Sequence, residues 1–341
     1  MFVFLIIFCL SLNIIIIKKS NFFEKLNVSY NPVQKIHLGY VPRIGGIVVI
    51  ITFYICLIMD KTESLFLNIE LLIASFLILA VGSIEDLFGK ASPALRFFAI
   101  FFGSLIFVFS QNTLPVIDVP IIGDILSKYS FINILFYTIG LTALSNGFNM
   151  IDGMNGLVGL TSLGCLTAIL TLMHFIIGDN IFYKEIIFLF LSLLIFLFFN
   201  FPLGKIFFGD TGSYWIGWVI GIITIKIYTI YDLNTWGALL ILFYPLQEVV
   251  FSSIRKIIQK KSPLSPDIEH LHLKLYFLLK GSHERGIKFN SFVTVCLMPF
   301  WFIPCVMILW SQLYAHISIL FLLILEITYL YYYFSIPKVK N

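Results

Sequence analysis

Four carboxylates stand beside apolar stretches in a sequence that has few charges. Glu85 and Asp86 close one apolar stretch, Asp152 follows another, and Asp210 lies in a Gly-Asp-Thr-Gly-Ser turn before a third. Charged groups next to lipid are unfavourable and usually functional. A cluster of like charges needs a counter-charge, and Mg²⁺ commonly binds one or two carboxylates together with phosphate oxygens. These residue types therefore indicate a Mg²⁺ site that handles phosphate.

Amide side chains accompany one of these carboxylates at a regular interval. Asn146, Asn149, Asp152 and Asn155 are spaced by three residues. On a helix this spacing keeps them roughly on one side. Amides beside a carboxylate can hold a sugar or a base edge through hydrogen bonds, whereas a polar seam between helices is the alternative.

Two histidines, His270 and His272, form a His-x-His pattern with Lys274 close by. A zinc site would need further His or Cys ligands near this pattern, and phosphate binding is the preferred interpretation. Arg43 and Lys205 could add to the phosphate-binding charge. The residues thus favour a Mg²⁺-dependent reaction on a phosphorylated substrate, and leave transfer, hydrolysis and transport open.

The elements that must position these residues are membrane helices. Of the 341 residues 60% are hydrophobic and only 12% are charged, so lipid must solvate most of the surface. We predict an all-α, polytopic protein with about eleven spans that forms a single integral membrane domain over 1–341. No basic patch is large enough to suggest nucleic acid. The apolar stretches lie at 2–17, 44–59, 65–84, 97–110, 130–146, 157–177, 186–201, 213–231, 235–252, 291–310 and 315–335.

Lysine and arginine predict the orientation of these spans. All but Lys61, Lys128, Lys184 and Lys226 fall on one side, which the positive-inside rule makes cytoplasmic. The N-terminus is then outside and the C-terminus inside. The polar motifs all fall in inner loops, so one site is expected there, although inner loops are also simply where polar residues go. These loops are 18–43, 85–96, 146–156, 202–213 and 253–290.

The same residues, taken in order, resemble the polyprenyl-phosphate N-acetylhexosamine-1-phosphate transferases, which are bacterial glycosyltransferase family 4. The resemblance is closer to the undecaprenyl-phosphate N-acetylglucosaminyl-1-phosphate transferase branch than to the phospho-N-acetylmuramoyl-pentapeptide transferase branch. It extends from about residue 31 to 276. The motifs that carry it are Lys35-Ile-His37 with Pro42-Arg43-Ile-Gly45-Gly46, the acidic pair 85–86, Asn146-x-x-Asn149-x-x-Asp152-Gly, Phe208-Gly209-Asp210-Thr-Gly-Ser, and Ser262-Pro-x-Ser-Pro-Asp267-x-x-His270-Leu-His272.

The resemblance implies a reaction in the bacterial cytoplasmic membrane, with the active site on the cytoplasmic face. A UDP-N-acetylhexosamine would react with polyprenyl phosphate to give the lipid-linked diphospho-sugar and UMP, as the first membrane step of a cell-envelope polysaccharide, O-antigen or capsule. Asp210 with Asp152 would bind Mg²⁺, or Mn²⁺ in its place. A homodimer stays open.

Roles for individual residues follow from the same resemblance. Glu85 and Asp86 would deprotonate or position the lipid phosphate. Asp152 and Asn149 would contact the nucleotide-sugar. The substrate-binding residues expected in total are Arg43, Asn146, Asn149, Asn155, Lys205, His270 and His272.

Several positions depart from the family pattern. Glu85 stands in place of an Asp, and Asn155 in place of the Asp that is associated with uridine recognition. Glu248 replaces an Asp, and Ile268 and Leu273 replace polar residues beside the histidines. The alternatives are the muramoyl-pentapeptide transferase of peptidoglycan synthesis and, outside enzymes, a transporter or an inactive scaffold.

Overall fold

The computed structural model describes residues 1–20, 22, 41–60, 64–178, 182–265, 267–280 and 287–337. All regular secondary structure in these ranges is helical. Lys35 and His37, with most of the predicted inner loop 18–43, lie outside the described residues. The helices are α1 (Phe2–Lys18), α2 (Gly45–Asp60), α3 (Ile69–Phe88), α4 (Pro93–Phe109), α5 (Ile122–Lys128), α6 (Ser130–Ile151), α7 (Leu157–Leu172), α8 (Tyr183–Asn200), α9 (Gly209–Ile230), α10 (Thr235–Ile241), α11 (Phe243–Ile258), α12 (Leu271–Lys280), α13 (Ile287–Cys296), α14 (Met298–Trp301), α15 (Ile303–Leu313) and α16 (Ala315–Ser335).

The predicted all-α, polytopic architecture is confirmed. Six described helices are long and apolar enough to cross a membrane, and up to eight candidate spans result if each of two bent helix pairs is one span. Each predicted apolar stretch overlaps a described helix or a bent pair. Three of these helices, α1, α2 and α4, have only 16 or 17 residues. The count of about eleven spans and the orientation of the termini stay predictions.

Helix α9 is the centre of the bundle. Within its spanning window 83% of the residues are buried, more than in any other candidate span of the described chain. It packs against α2, α3, α6 and α7. Glycines bring two of these neighbours very close, because a Cβ on Gly46 would lie 2.2 Å from the Cα of Gly212, and one on Gly82 would lie 2.5 Å from the Cα of Thr211. The polar start of α9 is therefore enclosed by other helix ends.

A bend of 83° separates α10 from α11. Pro245, in the first turn of α11, has no N–H, so the Ile241 carbonyl four residues earlier loses its usual helical partner. The thiol of Cys165 donates to this carbonyl instead, with a sulfur–oxygen distance of 3.2 Å. The bend places α11 against α6, where its side chains can reach the polar end of that helix.

Candidate functional site

The carboxylate of Asp86 anchors the start of α9. Its Oδ1 accepts a hydrogen bond from the backbone N–H of Asp210 at 2.8 Å, and its Oδ2 accepts from the N–H of Thr211 at 2.8 Å and from the Thr211 hydroxyl at 2.7 Å. The N-cap residue Phe208 offers no capping side chain of its own. Asp86, from the last turn of α3, therefore caps α9 from a neighbouring helix.

Asp210 lies between two guanidinium groups. Nη2 of Arg43 donates to its Oδ1 at 3.0 Å, and Nη1 of Arg96 donates to its Oδ2. Arg43 also lies 3.9 Å from Asp86, measured from Nε to Oδ1. Asp210 is buried, whereas both arginines are partly exposed. The start of α9 is thus a charge network in which two cations face a buried carboxylate.

Backbone hydrogen bonds explain why Arg43 is fixed beside Asp210. The N–H of Phe207 donates to the Pro42 carbonyl at 2.8 Å, and the N–H groups of Gly45 and Gly46 donate to the carbonyls of Phe207 and Phe208 at 2.9 and 2.8 Å. Two distant segments, before α2 and before α9, are held side by side. Backbone hydrogen bonds therefore hold the Arg43 and Asp210 motifs next to each other, as the sequence predicts.

Glu85 differs from its neighbour Asp86. Its Oε2 accepts from the N–H of Ala91 at 3.0 Å, and its Oε1 lies 3.9 Å from Nη1 of Arg96. The side chain is half-buried, so the carboxylate can be reached from outside the protein. Helix α3 extends to Phe88, and the acidic pair therefore belongs to a helix end and not to the loop 85–96 that the sequence predicts.

Arg96 is the residue that the motif analysis missed. It lies in the first turn of α4 and contacts both Asp210 and Glu85. Sequence reasoning counted it only as an inner-loop charge. The signal that could have found it is a basic residue placed shortly after an acidic pair, in the turn that returns to the membrane.

Asp152 joins the same charge network from α6, whose C-cap it occupies. Burial raises the pKa of Asp152 well above its ordinary value, Asp210 and Asp86 raise it further, and Arg43 and the N–H of Gly209 oppose the shift. These causes identify its neighbours. The carboxylates of Asp86, Asp152 and Asp210, from three helix ends, therefore lie near enough to influence one another electrostatically, together with Arg43.

The amides predicted to follow one helix face separate in the structure. Nδ2 of Asn149 donates to Oγ of Ser213 in the first turn of α9 at 2.9 Å, whereas Nδ2 of Asn146 donates to the Thr142 carbonyl of its own helix at 2.8 Å. Because α6 ends at Ile151, Asn155 is not on that helix. The prediction of one shared helix face is thus corrected for Asn155.

Asn155 is buried against α13. Its N–H donates to Oδ1 of Asn290 at 2.5 Å, its Nδ2 donates to Oγ of Ser291 at 3.3 Å, and its carbonyl accepts from the Thr294 hydroxyl at 2.8 Å. The exposed Lys205 is likewise not among the described charges around Asp210. Substrate contacts by Asn155 and Lys205 stay predictions.

His270 and His272 form a second cluster at the start of α12. Nδ1 of His270 lies 2.9 Å from Oε2 of the buried Glu248, whose Oε1 accepts from the N–H of Leu271 at 3.2 Å. The two imidazole rings are parallel, with centroids 5.6 Å apart. Lys274, which follows them, donates from Nζ to the Tyr333 carbonyl of α16 at 2.7 Å.

This second cluster adjoins the first through the turn after α6. A Cβ on Gly153 would lie 2.6 Å from Nε2 of His272, so the ring is packed directly on the residue that follows Asp152. Burial lowers the pKa of His272 to about 4, and the charge of His270 adds to the decrease although Glu248 opposes it. The predicted histidine motif and the predicted Asp152 motif therefore share one region.

Two cations of α11 secure the loop that leads to the histidines. Arg255 donates from Nη2 to Asp267 and from Nη1 to Glu269 at 2.6 Å. Nζ of Lys256 donates to the carbonyls of Pro263 and Ser265 at 3.0 and 2.7 Å. The Ser-Pro-x-Ser-Pro-Asp motif is thus bound to α11 at several points, which limits the positions that His270 can take.

The donor set at Asp210 fits Mg²⁺ only with help from a substrate. Among the described residues no three His, Cys, Asp or Glu side chains are arranged to hold a metal ion. Mg²⁺ does not require such a cage, since it commonly binds one or two carboxylates plus phosphate oxygens. Asp210 and Asp152 supply hard oxygen donors in the same network. The arginines on Asp210 would have to share it with the metal.

The chain is similar to known proteins over most of its length. The model of the family "Glycosyl transferase family 4" matches residues 68–228, which include Glu85, Asp86, Asp152 and Asp210. A probable undecaprenyl-phosphate N-acetylglucosaminyl 1-phosphate transferase of Bacillus subtilis is 25% identical over 300 residues, covering 86% of this chain and 80% of that protein.

Two further relatives have related descriptions. The undecaprenyl-phosphate alpha-N-acetylglucosaminyl 1-phosphate transferase of Thermotoga maritima is 27% identical over 243 residues, 70% of this chain and 69% of that protein. The decaprenyl-phosphate N-acetylglucosaminephosphotransferase of Mycolicibacterium smegmatis is 25% identical over 295 residues, 76% of this chain and 71% of that protein. Over residues 68–228 the chain is thus similar to glycosyl transferase family 4, and over most of its length it is similar to these polyprenyl-phosphate N-acetylglucosamine-1-phosphate transferases.

Proposed function

We propose that this membrane enzyme transfers an N-acetylhexosamine-1-phosphate from a UDP-sugar to polyprenyl phosphate and releases UMP. The observation that carries the proposal is the network of Arg43, Arg96 and Asp210 at the start of α9. Two guanidinium groups beside a buried carboxylate and a helix N-terminus form a site for phosphate groups. The lipid acceptor follows from the relatives, which are described as acting on undecaprenyl or decaprenyl phosphate.

The proposed step is an exchange at the β-phosphorus of the UDP-sugar. An oxygen of the lipid phosphate forms a new bond to this phosphorus, and the bond from the phosphorus to the bridging oxygen breaks. UMP leaves with that oxygen and with the electron pair. Arg43 and Arg96 stabilise the negative charge, and the accessible carboxylate of Glu85 takes a proton from the lipid phosphate when it arrives protonated.

The acidic pair therefore has two different duties in this proposal. Asp86 has both carboxylate oxygens engaged by the start of α9, so it positions Asp210. Glu85, one residue earlier, has the accessible carboxylate. Asp152 and Asn149 orient the nucleotide-sugar from α6, and His270 and His272 bind its phosphates.

We further propose Mg²⁺, or Mn²⁺, as the cofactor. Asp210 and Asp152 would hold it with the diphosphate of the substrate. When bound, the metal neutralises charge on the diphosphate and reduces the repulsion between two anionic reactants. The chain's own contribution is to hold Asp210 in place through Asp86 and to supply two arginines that compensate its charge.

The cellular setting is part of the same proposal. About eleven spans, an external N-terminus and a cytoplasmic C-terminus would put the site on the inner face of a bacterial cytoplasmic membrane, where nucleotide-sugars are made. The product would begin a cell-envelope polysaccharide, O-antigen or capsule. N-acetylglucosamine is the sugar in the descriptions of the relatives, and we propose it as the first donor to test.

The relatives support this activity over the alternatives. None of the three relatives reported above is described as acting on the muramoyl-pentapeptide substrate of peptidoglycan synthesis, as a transporter or as a scaffold. A homodimer stays a prediction.

The test uses purified protein in detergent with Mg²⁺, polyprenyl phosphate and a panel of UDP-N-acetylhexosamines. UMP release and the lipid-linked sugar are both measured. We expect UMP only when donor, lipid acceptor and Mg²⁺ are all present. UMP without a lipid acceptor would indicate hydrolysis, and folded protein that releases no UMP with any donor would contradict the proposal.

A further inference from the structure

The contact between Glu248 and His270 joins helix α11 to the residue before helix α12, across 22 residues of the chain. Glu248 belongs to α11, and His270 lies immediately before α12. Both side chains are buried, with Glu248 only 1% exposed. The loop between them is fastened by Arg255 and Lys256, so the contact does not depend on a single hydrogen bond.

The two oxygens of Glu248 have separate partners, and this determines where the imidazole proton resides. Oε1 accepts from the N–H of Leu271, which is always a donor. Oε2 faces Nδ1 of His270 at 2.9 Å. An ionised carboxylate can only accept hydrogen bonds, so Nδ1 must carry a hydrogen. Nε2 is then the ring nitrogen that can take up a further proton or meet a ligand.

The surroundings of the ring indicate which ligand this is. His272 is stacked parallel to His270, and its own Nε2 lies against Gly153, next to Asp152. The histidine pair thus adjoins the charge network where phosphate groups are expected. A ring that keeps Nδ1–H on a carboxylate gains a positive charge when Nε2 is protonated, and this charge attracts phosphate oxygens.

We propose that Glu248 is a positioning residue that keeps a proton on Nδ1 of His270 and so reserves Nε2 for a phosphate group of the nucleotide-sugar. This inference rests on the proposed transferase function for its substrate, but the proton position can be measured without any turnover. The departure from the family's Asp at position 248 is accommodated because both oxygens of the longer Glu side chain find partners.

The discriminating variant is Glu248→Gln. Its amide oxygen can still accept from the N–H of Leu271, and its amide NH₂ then faces Nδ1 of His270. The hydrogen bond survives with its direction reversed, so Nδ1 loses its proton and Nε2 becomes the protonated nitrogen of a neutral ring. Glu248→Asp retains a carboxylate and is the conservative variant. The matched control is Glu326→Gln. It alters a carboxylate on α16 that accepts a hydrogen bond from Gln247.

The first measurement is nitrogen NMR of protein in nanodiscs with ¹⁵N-labelled histidine, of which the chain has six. The His270 signals are identified by their loss in His270→Gln. We expect a protonated Nδ1 in the wild type, in Glu248→Asp and in Glu326→Gln, and an unprotonated Nδ1 in Glu248→Gln. An Nδ1 that stays protonated in Glu248→Gln, or is unprotonated in the wild type, would overturn the inference.

The second measurement is the KM for the UDP-sugar. Loss of a charge-assisted hydrogen bond should raise it about tenfold in Glu248→Gln, with a smaller rise in Glu248→Asp and none in Glu326→Gln. A changed proton position with an unchanged KM would overturn the phosphate role. If the wild type releases no UMP, the transferase proposal fails, whereas the NMR result still decides whether Glu248 positions His270.

Discussion

Asp86 and Thr211 are joined by two hydrogen bonds that link the end of α3 to the start of α9. Oδ2 of Asp86 accepts from both the N–H and the hydroxyl of Thr211, at 2.8 and 2.7 Å. Asp210 immediately precedes this threonine, and its N–H also donates to Asp86. The position of the Asp210 carboxylate is consequently set by a carboxylate from another helix.

Asp86→Asn should weaken this anchor. A carboxamide offers one acceptor oxygen, and its NH₂ would face backbone donors, so we expect a loss of about 1–3 kcal/mol in the free energy of unfolding. Turnover should fall as well, because Asp210 is no longer held. Thermal unfolding in detergent measures the first effect. The control is Asp60→Asn, at the end of α2, which removes an exposed ion pair with Lys184. Equal melting temperatures of the two variants would contradict the anchoring role.

Asp210→Asn should abolish turnover while the protein stays inserted and folded. The amide keeps the size of the side chain but removes the charge that faces Arg43 and Arg96. It should also weaken binding of Mn²⁺, which electron paramagnetic resonance measures without any assay of turnover. Full activity, or unchanged Mn²⁺ binding, would remove the metal role from Asp210.

Arg96 substitutions should separate charge from shape. Arg96→Lys keeps the charge but loses the guanidinium group, whose Nη1 lies near both Asp210 and Glu85. Because Arg96 lies beside Glu85, to which we assign the lipid phosphate, we expect the KM for polyprenyl phosphate to rise roughly tenfold in Arg96→Lys and roughly a hundredfold in Arg96→Gln. Lys184→Gln, on an exposed lysine, serves as the control. An unchanged KM for the lipid in Arg96→Gln would show that Arg96 does not bind it.

Gly153→Ala should disturb His272 directly, because the new methyl group would lie 2.6 Å from Nε2. Overpacking of this kind costs about 1–3 kcal/mol, and turnover should fall when the ring is displaced. Gly140→Ala is a matched control, since a Cβ at that position meets no atom within 4 Å. Equal turnover in the two variants would mean that the His272 contact is unimportant for activity.

Stability should decrease as the pH falls from about 6.5 towards 4. Burial lowers the pKa of His272 from 6.5 to about 4, so in this interval the unfolded chain binds a proton that the folded protein does not. The stabilisation is fully present above pH 6.5 and is lost on acidification, by up to about 3 kcal/mol. Unfolding midpoints measured across this range should shift less in His272→Gln than in the wild type, whereas the exposed His174→Gln should follow the wild type.

The class of this protein could be predicted from composition and spacing alone. Apolar stretches of near-spanning length become helices because backbone groups in lipid must bond within their own segment. The order of the motifs likewise predicts the family. The Arg43, Asp152 and Asp210 motifs do meet in the fold, since each lies at a helix end on the same side of the bundle.

The roles within the site were decided by tertiary structure. Glu85 and Asp86 are adjacent and chemically alike, yet successive helix residues point about 100° apart, so one reaches the start of α9 and the other remains accessible. Spacing also suggested that Asn155 continues the face of α6, but that helix ends before it and α13 binds the side chain instead.

Sequence by itself determined a helical membrane enzyme with its polar motifs at helix ends, because hydropathy and motif order are properties of the chain. Only the folded bundle decided which partner each polar group has. Arg96 with Asp210, and Glu248 with His270, are contacts between segments separated by 114 and 22 residues. Such contacts depend on how helices pack and bend, which local spacing does not specify.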